Sequence, residues 1–193
     1  MPSIASHFAC SDMVSKKLNF KSDDFFVGNI LPDIIEGPKD ICHYRRERMG
    51  KYLIPDIEEF LNKNNVNNDI MFGYLCHLLL DKHFVINFVL HNIKEHDNIF
   101  VADKIYKDYT IMNASLIKFF QLDINYLNKV LKMNDINNYK LDPEKYKKNV
   151  KCFNMLETDG QLRYINFDLF TKFLNETSDE IADEISKVKA LKM

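Results

Sequence analysis

The sequence predicts an all-α protein, and three observations support that prediction. Apolar residues recur at helical spacing in several segments of the chain. The hydrophobic content is 46% and includes 15 Phe, so 193 residues can bury a sizeable core. Only 5 Gly and 5 Pro are present, too few for the many turns of an all-β fold. We therefore expect one all-helical domain over residues 1–193, with a single bundle as its architecture.

The first half of the chain begins with two predicted helices. Apolar residues between Ile4 and Leu18 recur at roughly helical spacing and predict a helix over 3–18. A second apolar run at 25–35 predicts a short helix that ends near Pro32, because proline lacks the N–H that continues a helix. The other predicted elements of this half are an ordered loop at 36–50, a helix at about 52–63, a polar connector at 62–69 and a buried helix at 70–91.

The second half of the chain shows helical patterns throughout. They cover about 101–120, 123–133, 142–156 and 166–190. The third pattern has the clearest start, with Asp142 as the N-cap and Pro143 at the first helical position. The last has acidic residues early and lysines late, as the helix dipole favours.

Charge and cysteine content restrict the classes of partner and location. The formal net charge is −2, so we expect no broad nucleic-acid surface. The four cysteines form no C-x-x-C pair and the start of the chain lacks a secretory signal pattern, which favours a cytoplasmic location. The longest apolar stretch contains His77, Asp81 and Lys82, so we expect a buried core helix and no membrane span.

The most informative feature is the pair His77 and Asp81, one helical turn apart inside that apolar stretch. Residues at i and i+4 project from the same side of a helix, and burying both is costly unless something neutralises and hydrogen-bonds them. A metal ion does so; a hydrogen-bonded His–Asp pair within the core is the alternative. His7, His43 and Asp33 offer further ligands suited to zinc and tolerated by manganese or iron.

Four blocks of sequence occur in an order that points to one family. They are Met-Pro-Ser-Ile-Ala-Ser-His7, Phe25-Phe-Val-Gly-Asn-Ile-Leu-Pro-Asp33, His43, and Phe72-Gly-Tyr-Leu-Cys-His77-Leu-Leu-Leu-Asp81. In this order the chain resembles the zinc-dependent phospholipase C family, which is related to the S1/P1 nuclease fold. The resemblance implies an all-helical bundle of that type, one to three zinc ions and hydrolysis of phosphate esters. The metal-site half would be 1–96, and 97–193 would complete the helical domain.

The resemblance also implies which residues hold metal. Asp33, His43, His77 and Asp81 would bind one zinc ion. Asp81 would bridge to a second zinc that is also bound by His7 and by the chain's N-terminal amino and carbonyl groups, supplied by Met1 or by Pro2.

A third metal site has only partial candidates. Family members have a His six residues past the bridging Asp, where this chain has Asn87, and then a distal His-x-x-x-Glu. His83 and the pair His91 and Glu95 are the alternatives in this chain. On a straight helix His83 is rotated roughly 200° from Asp81, and His91 lies roughly 21 Å along the axis from His77. Either would join the cluster only through a change in the path of the chain.

The predicted function is a metal-dependent phosphoric ester hydrolase, a phosphodiesterase or phospholipase C-like enzyme that uses metal-activated water. Asp33 is the candidate catalytic base or orienting carboxylate. Lys39, Arg45 and Arg46 lie close to His43 in the sequence and are candidates for binding the substrate phosphate, with a solvated charged surface as the alternative. A non-catalytic metal-binding or sensor module that kept a partial site is the second prediction.

Overall fold

A computed structural model describes residues 2–93, 101–123, 125, 139–154 and 160–192. Its elements confirm the all-α class, with one small two-stranded sheet among the described residues. None of the described helices is long and apolar enough to cross a lipid bilayer. In chain order the elements are α1 (Ile4–Leu18), α2 (Asp23–Ile34), α3 (Lys39–Cys42), β1 (Arg45–Met49), β2 (Tyr52–Pro55), α4 (Ile57–Lys63), α5 (Asp69–His83), a π-helical segment (Phe84–Val89), α6 (Leu90–Asn92), α7 (Val101–Phe119), α8 (Pro143–Asn154) and α9 (Phe167–Lys192).

Helices α2 and α5 form the centre of the fold and approach each other closely through two glycines. A Cβ added to Gly28 would overlap the carbonyl oxygen of Ile70, and one added to Gly73 would overlap the carbonyl oxygen of Phe25. Each glycine therefore lets the backbone of the other helix come into contact where any side chain would prevent it. This close approach sets the distance between the side chains that follow on the two helices.

The other helices cover this pair. Helix α1 contacts α2, α5, α7 and α9, and its buried side chains Phe8 and Val14 belong to the same hydrophobic core as Leu75 of α5. The predicted cap of α8 is present, because the Asp142 carboxylate accepts hydrogen bonds from the backbone N–H groups of Glu144 and Lys145. Helix α8 begins beside the C-terminal end of α2, where the Asp142 N–H donates to the carbonyl oxygen of Ile34, and it contacts both α2 and α7.

A buried carboxylate holds the segment before α9. Asp108 of α7 is 2% exposed and accepts hydrogen bonds from the backbone N–H groups of Arg163, Tyr164 and Ile165, the last two at 2.7 Å. Hydrogen bonds to an ionised acceptor are stronger than neutral ones, so this carboxylate fixes where α9 begins relative to α7. No pattern in the sequence indicates this role for Asp108.

The structure corrects several predicted boundaries. Helix α2 continues through Pro32 to Ile34, since only the last turn follows the proline and a single intrahelical hydrogen bond is lost. The predicted loop at 36–50 and the start of the predicted helix at 52–63 instead form α3 and an antiparallel hairpin. The helix predicted at 70–91 runs without a break but becomes π-helical over Phe84–Val89. Most of the helix predicted at 123–133 lies outside the described residues.

Candidate metal centre

Five of the predicted ligands converge from four elements. His7 lies on α1, Asp33 in the last turn of α2, His43 directly after α3, and His77 and Asp81 one turn apart on α5. The three imidazoles and Asp81 are at most 1% exposed, whereas the Asp33 side chain is 15% exposed. The structure thus brings together residues up to 74 positions apart, with Asp33 on the more open side.

Asp81 lies at the centre of the cluster. Its Oδ1 atom lies 3.4 Å from His7 Nε2, and its Oδ2 atom lies 3.8 Å from His77 Nε2 and 4.0 Å from His43 Nε2. Asp33 Oδ1 lies 3.2 Å from His43 Nε2. Two groups of three have ligand atoms that all lie within 4.8 Å of one another: His7, His77 and Asp81, and Asp33, His43 and His77. His77 belongs to both groups.

Backbone carbonyls orient two of the imidazole rings. His77 Nδ1 lies 2.6 Å from the carbonyl oxygen of Asn29, and His43 Nδ1 lies 2.9 Å from that of Lys39. A carbonyl oxygen only accepts, so both Nδ1 atoms carry the proton and donate it. In a neutral ring the lone pair is then on Nε2, which points into the cluster. This is how imidazoles that bind metal are commonly oriented.

Further contacts position His43 and His77 relative to each other. The Tyr74 hydroxyl, one turn before His77, donates to the carbonyl oxygen of Cys42 and so ties α5 to the residue before His43. Tyr44 follows with a left-handed backbone, φ 50°, which turns the chain from α3 into β1. The rings of His7 and His77 stack with centroids 3.7 Å apart. These contacts hold the imidazoles in place without using their Nε2 atoms.

Burial and neighbouring charges shift the pKa values of the cluster. Burial, which disfavours the charged imidazolium, lowers the pKa of His77 to about 3, so this ring is neutral at neutral pH. Burial alone would raise the pKa values of Asp33 and Asp81, but the contact of Asp33 with His43 and that of Asp81 with His7 bring both pKa values below the ordinary range. The cluster therefore offers a neutral imidazole and two carboxylates, the forms that bind metal.

The unsatisfied polar atoms of the cluster fit a bound cation. Among the described residues, both ring nitrogens of His7, Nε2 of His77 and both carboxylate oxygens of Asp81 are buried with no hydrogen-bond partner. Leaving such groups unpaired in the core is costly. In addition, the lone pair on His77 Nε2 faces the negatively charged Asp81 carboxylate at 3.8 Å, so the two groups cannot satisfy each other. The alternative of a hydrogen-bonded His77–Asp81 pair disagrees with this geometry. A cation with imidazole and carboxylate ligands, such as zinc, fits this set of donor atoms.

A cavity of about 400 Å³ opens onto the cluster, a volume in the range of small-molecule sites. Asp33 and His43 line its inner side, so the candidate catalytic carboxylate and one candidate ligand contact the same space. Lys39, one of the predicted phosphate-binding residues, lines it too, as does Pro2. Met1 lies outside the described residues.

Two of the predicted phosphate-binding residues lie elsewhere. Arg45 and Arg46 do not line the cavity, because they lie on β1, where their side chains contact Asp40 at 3.3 Å and Glu59 at 3.6 Å. Nearness to His43 in the sequence does not place them beside it, since the chain turns sharply at Tyr44.

The candidates for a third metal site do not join the cluster either. His83 faces α9, where its Nε2 lies 2.8 Å from Glu184 and its Nδ1 3.3 Å from Glu180. His91 is exposed and lines a separate surface cavity with Asn87. His83 and His91 lie away from the cluster because the helix continues past Asp81 through the π-helical segment and does not fold back. Glu95 lies outside the described residues.

Four of the cavity residues that no sequence pattern singled out are polar or charged side chains of α7 and α8. Tyr109 and Asn113 come from α7, and Lys145 and Lys148 from α8. Burial raises the pKa of the Tyr109 phenol well above its ordinary value, so it stays protonated. The four-residue spacing of Tyr109 and Asn113 on an apolar helix face is the same signal that singled out His77 and Asp81. The lysines had no such signal, because their helix is polar overall.

The structure thus combines an all-α fold with a buried cluster of histidines and carboxylates beside a cavity, which is the arrangement of a metal-binding protein. The family model for zinc dependent phospholipase C matches residues 1–185 of the 193, and the chain belongs to this family. No curated protein and no solved structure matches the chain. The family agrees with the resemblance carried by the four blocks of sequence and supports a metal cofactor, with zinc as the expected ion.

Proposed function

We propose that this protein is a zinc-dependent phosphoric ester hydrolase, a phosphodiesterase or phospholipase C-like enzyme, with its active site at the cluster and the adjoining cavity. The observation that supports this most directly is the set of buried, unpaired ligand atoms on His7, His77 and Asp81 beside a cavity. Membership of the zinc-dependent phospholipase C family supports the same chemistry.

Asp33, His43, His77, Asp81 and His7 are the residues proposed to hold metal. Bound zinc would lower the pKa of a coordinated water and offset negative charge on the phosphoryl oxygens. Asp33 is the only carboxylate that lines the cavity among the described residues, so we assign it the role of accepting a proton from the attacking water. Lys39 at the cavity would attract the substrate phosphate.

Turnover of bis-p-nitrophenyl phosphate, measured with and without a chelator, tests this proposal. We expect hydrolysis that a chelator abolishes and zinc restores. Asp33→Asn should lower kcat by about 100-fold or more, the usual contribution of a positioned base. His91→Gln is the matched control, because His91 lies on the surface away from the cluster, and it should retain full activity.

A metal-binding module without turnover is the second candidate. It is favoured by the positions of His83 and His91, which leave the described part of the chain with five candidate ligands in the cluster. Stoichiometric zinc together with no chelator-sensitive turnover on a broad panel of phosphoesters would establish this module and contradict the hydrolase.

A further inference from the structure

The inner wall of the cavity carries two polar groups that the candidate metal centre does not use. Tyr109 and Asn113 lie one turn apart on α7 and are 3% and 5% exposed. The Tyr109 hydroxyl and the Asn113 Oδ1 atom have no hydrogen-bond partner among the described residues, and both side chains line the cavity. Buried polar groups without partners in a cavity are costly to the fold and suit a ligand that completes them.

The chemistry of the two atoms specifies what would satisfy them. A phenol has one O–H to donate and can also accept, whereas a side-chain carbonyl oxygen only accepts. A single group that uses the phenol O–H must accept from Tyr109 and donate to Asn113. An alcohol hydroxyl does both, whereas a phosphate oxygen without a proton only accepts and a quaternary ammonium does neither.

The charge around the cavity restricts the ligand further. Lys39, Lys145 and Lys148 line it, and none of the three contacts a carboxylate within 4.0 Å in the described ranges. Lys145 donates to the carbonyl oxygens of Ile35 and Gly37, which are neutral, so its charge stays uncompensated. Three ammonium groups against the single carboxylate of Asp33 favour an anion and repel a cationic head group.

We propose that this cavity selects phosphoesters of alcohols that carry a further hydroxyl, such as glycerol. Tyr109 and Asn113 bind a hydroxyl of the alcohol while the three lysines attract the phosphate. The proposal deepens the hydrolase proposed above and rests on its assignment of the cavity as the substrate site. It distinguishes this chain's substrate from a phosphoester with a cationic alcohol such as choline.

Calorimetric titration of zinc-saturated protein with small monoesters tests the proposal without requiring turnover. The probes are sn-glycerol 3-phosphate, n-propyl phosphate, which lacks the hydroxyls, phosphocholine and inorganic phosphate. One neutral hydrogen bond changes affinity by about 2- to 10-fold. We therefore expect glycerol phosphate to bind about 4- to 100-fold more tightly than propyl phosphate and more tightly than phosphocholine.

Two variants assign the preference to its residues. Tyr109→Phe and Asn113→Leu should each reduce the preference for glycerol phosphate over propyl phosphate by about 2- to 10-fold and leave the affinity for inorganic phosphate unchanged. Tyr164→Phe is the matched control, because Tyr164 lies outside the cavity lining, and it should retain the preference.

Three results would overturn the proposal: equal wild-type affinity for glycerol phosphate and propyl phosphate, tighter binding of phosphocholine, or a preference that survives in both variants. The wild-type comparison keeps the test decisive even if a variant does not fold. Absence of turnover with the preference intact would overturn the hydrolase alone, whereas turnover without the preference would overturn this inference alone.

A vesicle experiment distinguishes the two sources of such an ester. Binding to phosphatidylglycerol vesicles that free glycerol phosphate competes away would identify a lipid head group. Calorimetric preference without vesicle binding would identify a water-soluble ester, and both results support the same chemistry.

Discussion

Replacing His77 with glutamine is the most direct perturbation of the candidate metal centre. His77 belongs to both groups of converging ligand atoms, and its Nε2 lies 3.8 Å from Asp81. Glutamine has a similar length but no imidazole. We expect His77→Gln to weaken every metal site that these groups form, whereas His91→Gln, on the exposed surface, leaves metal binding unchanged.

The magnitude follows from linkage between binding and folding. Loss of the residue that orients a metal ligand costs about 10- to 100-fold in affinity, so loss of the ligand itself should cost at least about 100-fold. At free zinc of 100 times the wild-type Kd, binding stabilises the fold by about 2.7 kcal/mol, and a hundredfold weaker site gives about 0.4 kcal/mol. At about 2 to 4 °C per kcal/mol, the zinc-dependent rise in Tm falls from roughly 5–11 °C to about 1–2 °C.

The assay compares each variant with itself, in chelator and in buffered zinc, so that changes in the stability of the metal-free fold cancel. Elemental analysis of the purified proteins gives the zinc content independently. Wild-type zinc content and a wild-type thermal shift in His77→Gln would refute the reasoning that this imidazole is a shared ligand.

Three further predictions concern the fold that holds the site. Gly28→Ala should lower the free energy of unfolding by at least about 1 to 3 kcal/mol in a urea titration, because the added Cβ would overlap the backbone of Ile70. An unchanged urea midpoint would contradict the close approach of α2 and α5. Asp108→Asn should lower the free energy of unfolding by about 1.5 to 3 kcal/mol in the same assay, since a neutral amide replaces a carboxylate that accepts from three backbone N–H groups. Asp103→Asn on the exposed face of α7 is the control and should leave the urea midpoint nearly unchanged. With a chelator present, the free energy of unfolding should fall as the pH drops from about 6.5 towards 3. The reason is that His77 takes up a proton in the unfolded state, whereas in the folded state its pKa is about 3 and it stays neutral. An equal dependence of the unfolding free energy on pH in His77→Gln would contradict this assignment.

The clearest success of sequence reasoning was the all-α class. It followed from few turn residues and from helical spacing of apolar residues, which are local properties. The capped start of α8 at Asp142 was predicted for the same reason, because a cap depends on neighbouring residues only. The ligand pair His77 and Asp81 was noticed because both lie on one helix inside an apolar run.

The errors arose where local signals were weak or where tertiary contacts overrode them. The hairpin was missed because β1 reads Arg-Arg-Glu-Arg-Met, which has no alternation of apolar and polar residues. The end of α2 was placed too early because one proline in a last turn is tolerated when the helix is packed. Arg45 and Arg46 were grouped with His43 by sequence distance, and the turn at Tyr44 separates them.

The sequence by itself determined that this protein is helical, that it belongs to the zinc-dependent phospholipase C family, and that it buries ionisable residues that need a metal ion or a hydrogen-bond partner. The resemblance implied that His7 and Asp33 join the site, but only the tertiary structure gave the distances between them, turned His83 to α9, and placed Tyr109 and Asn113 at the cavity. The physical reason is that periodicity fixes the face of a helix on which a residue lies. Which faces meet depends on contacts such as the glycine crossing of α2 and α5, where the absence of two side chains sets the distance between backbones.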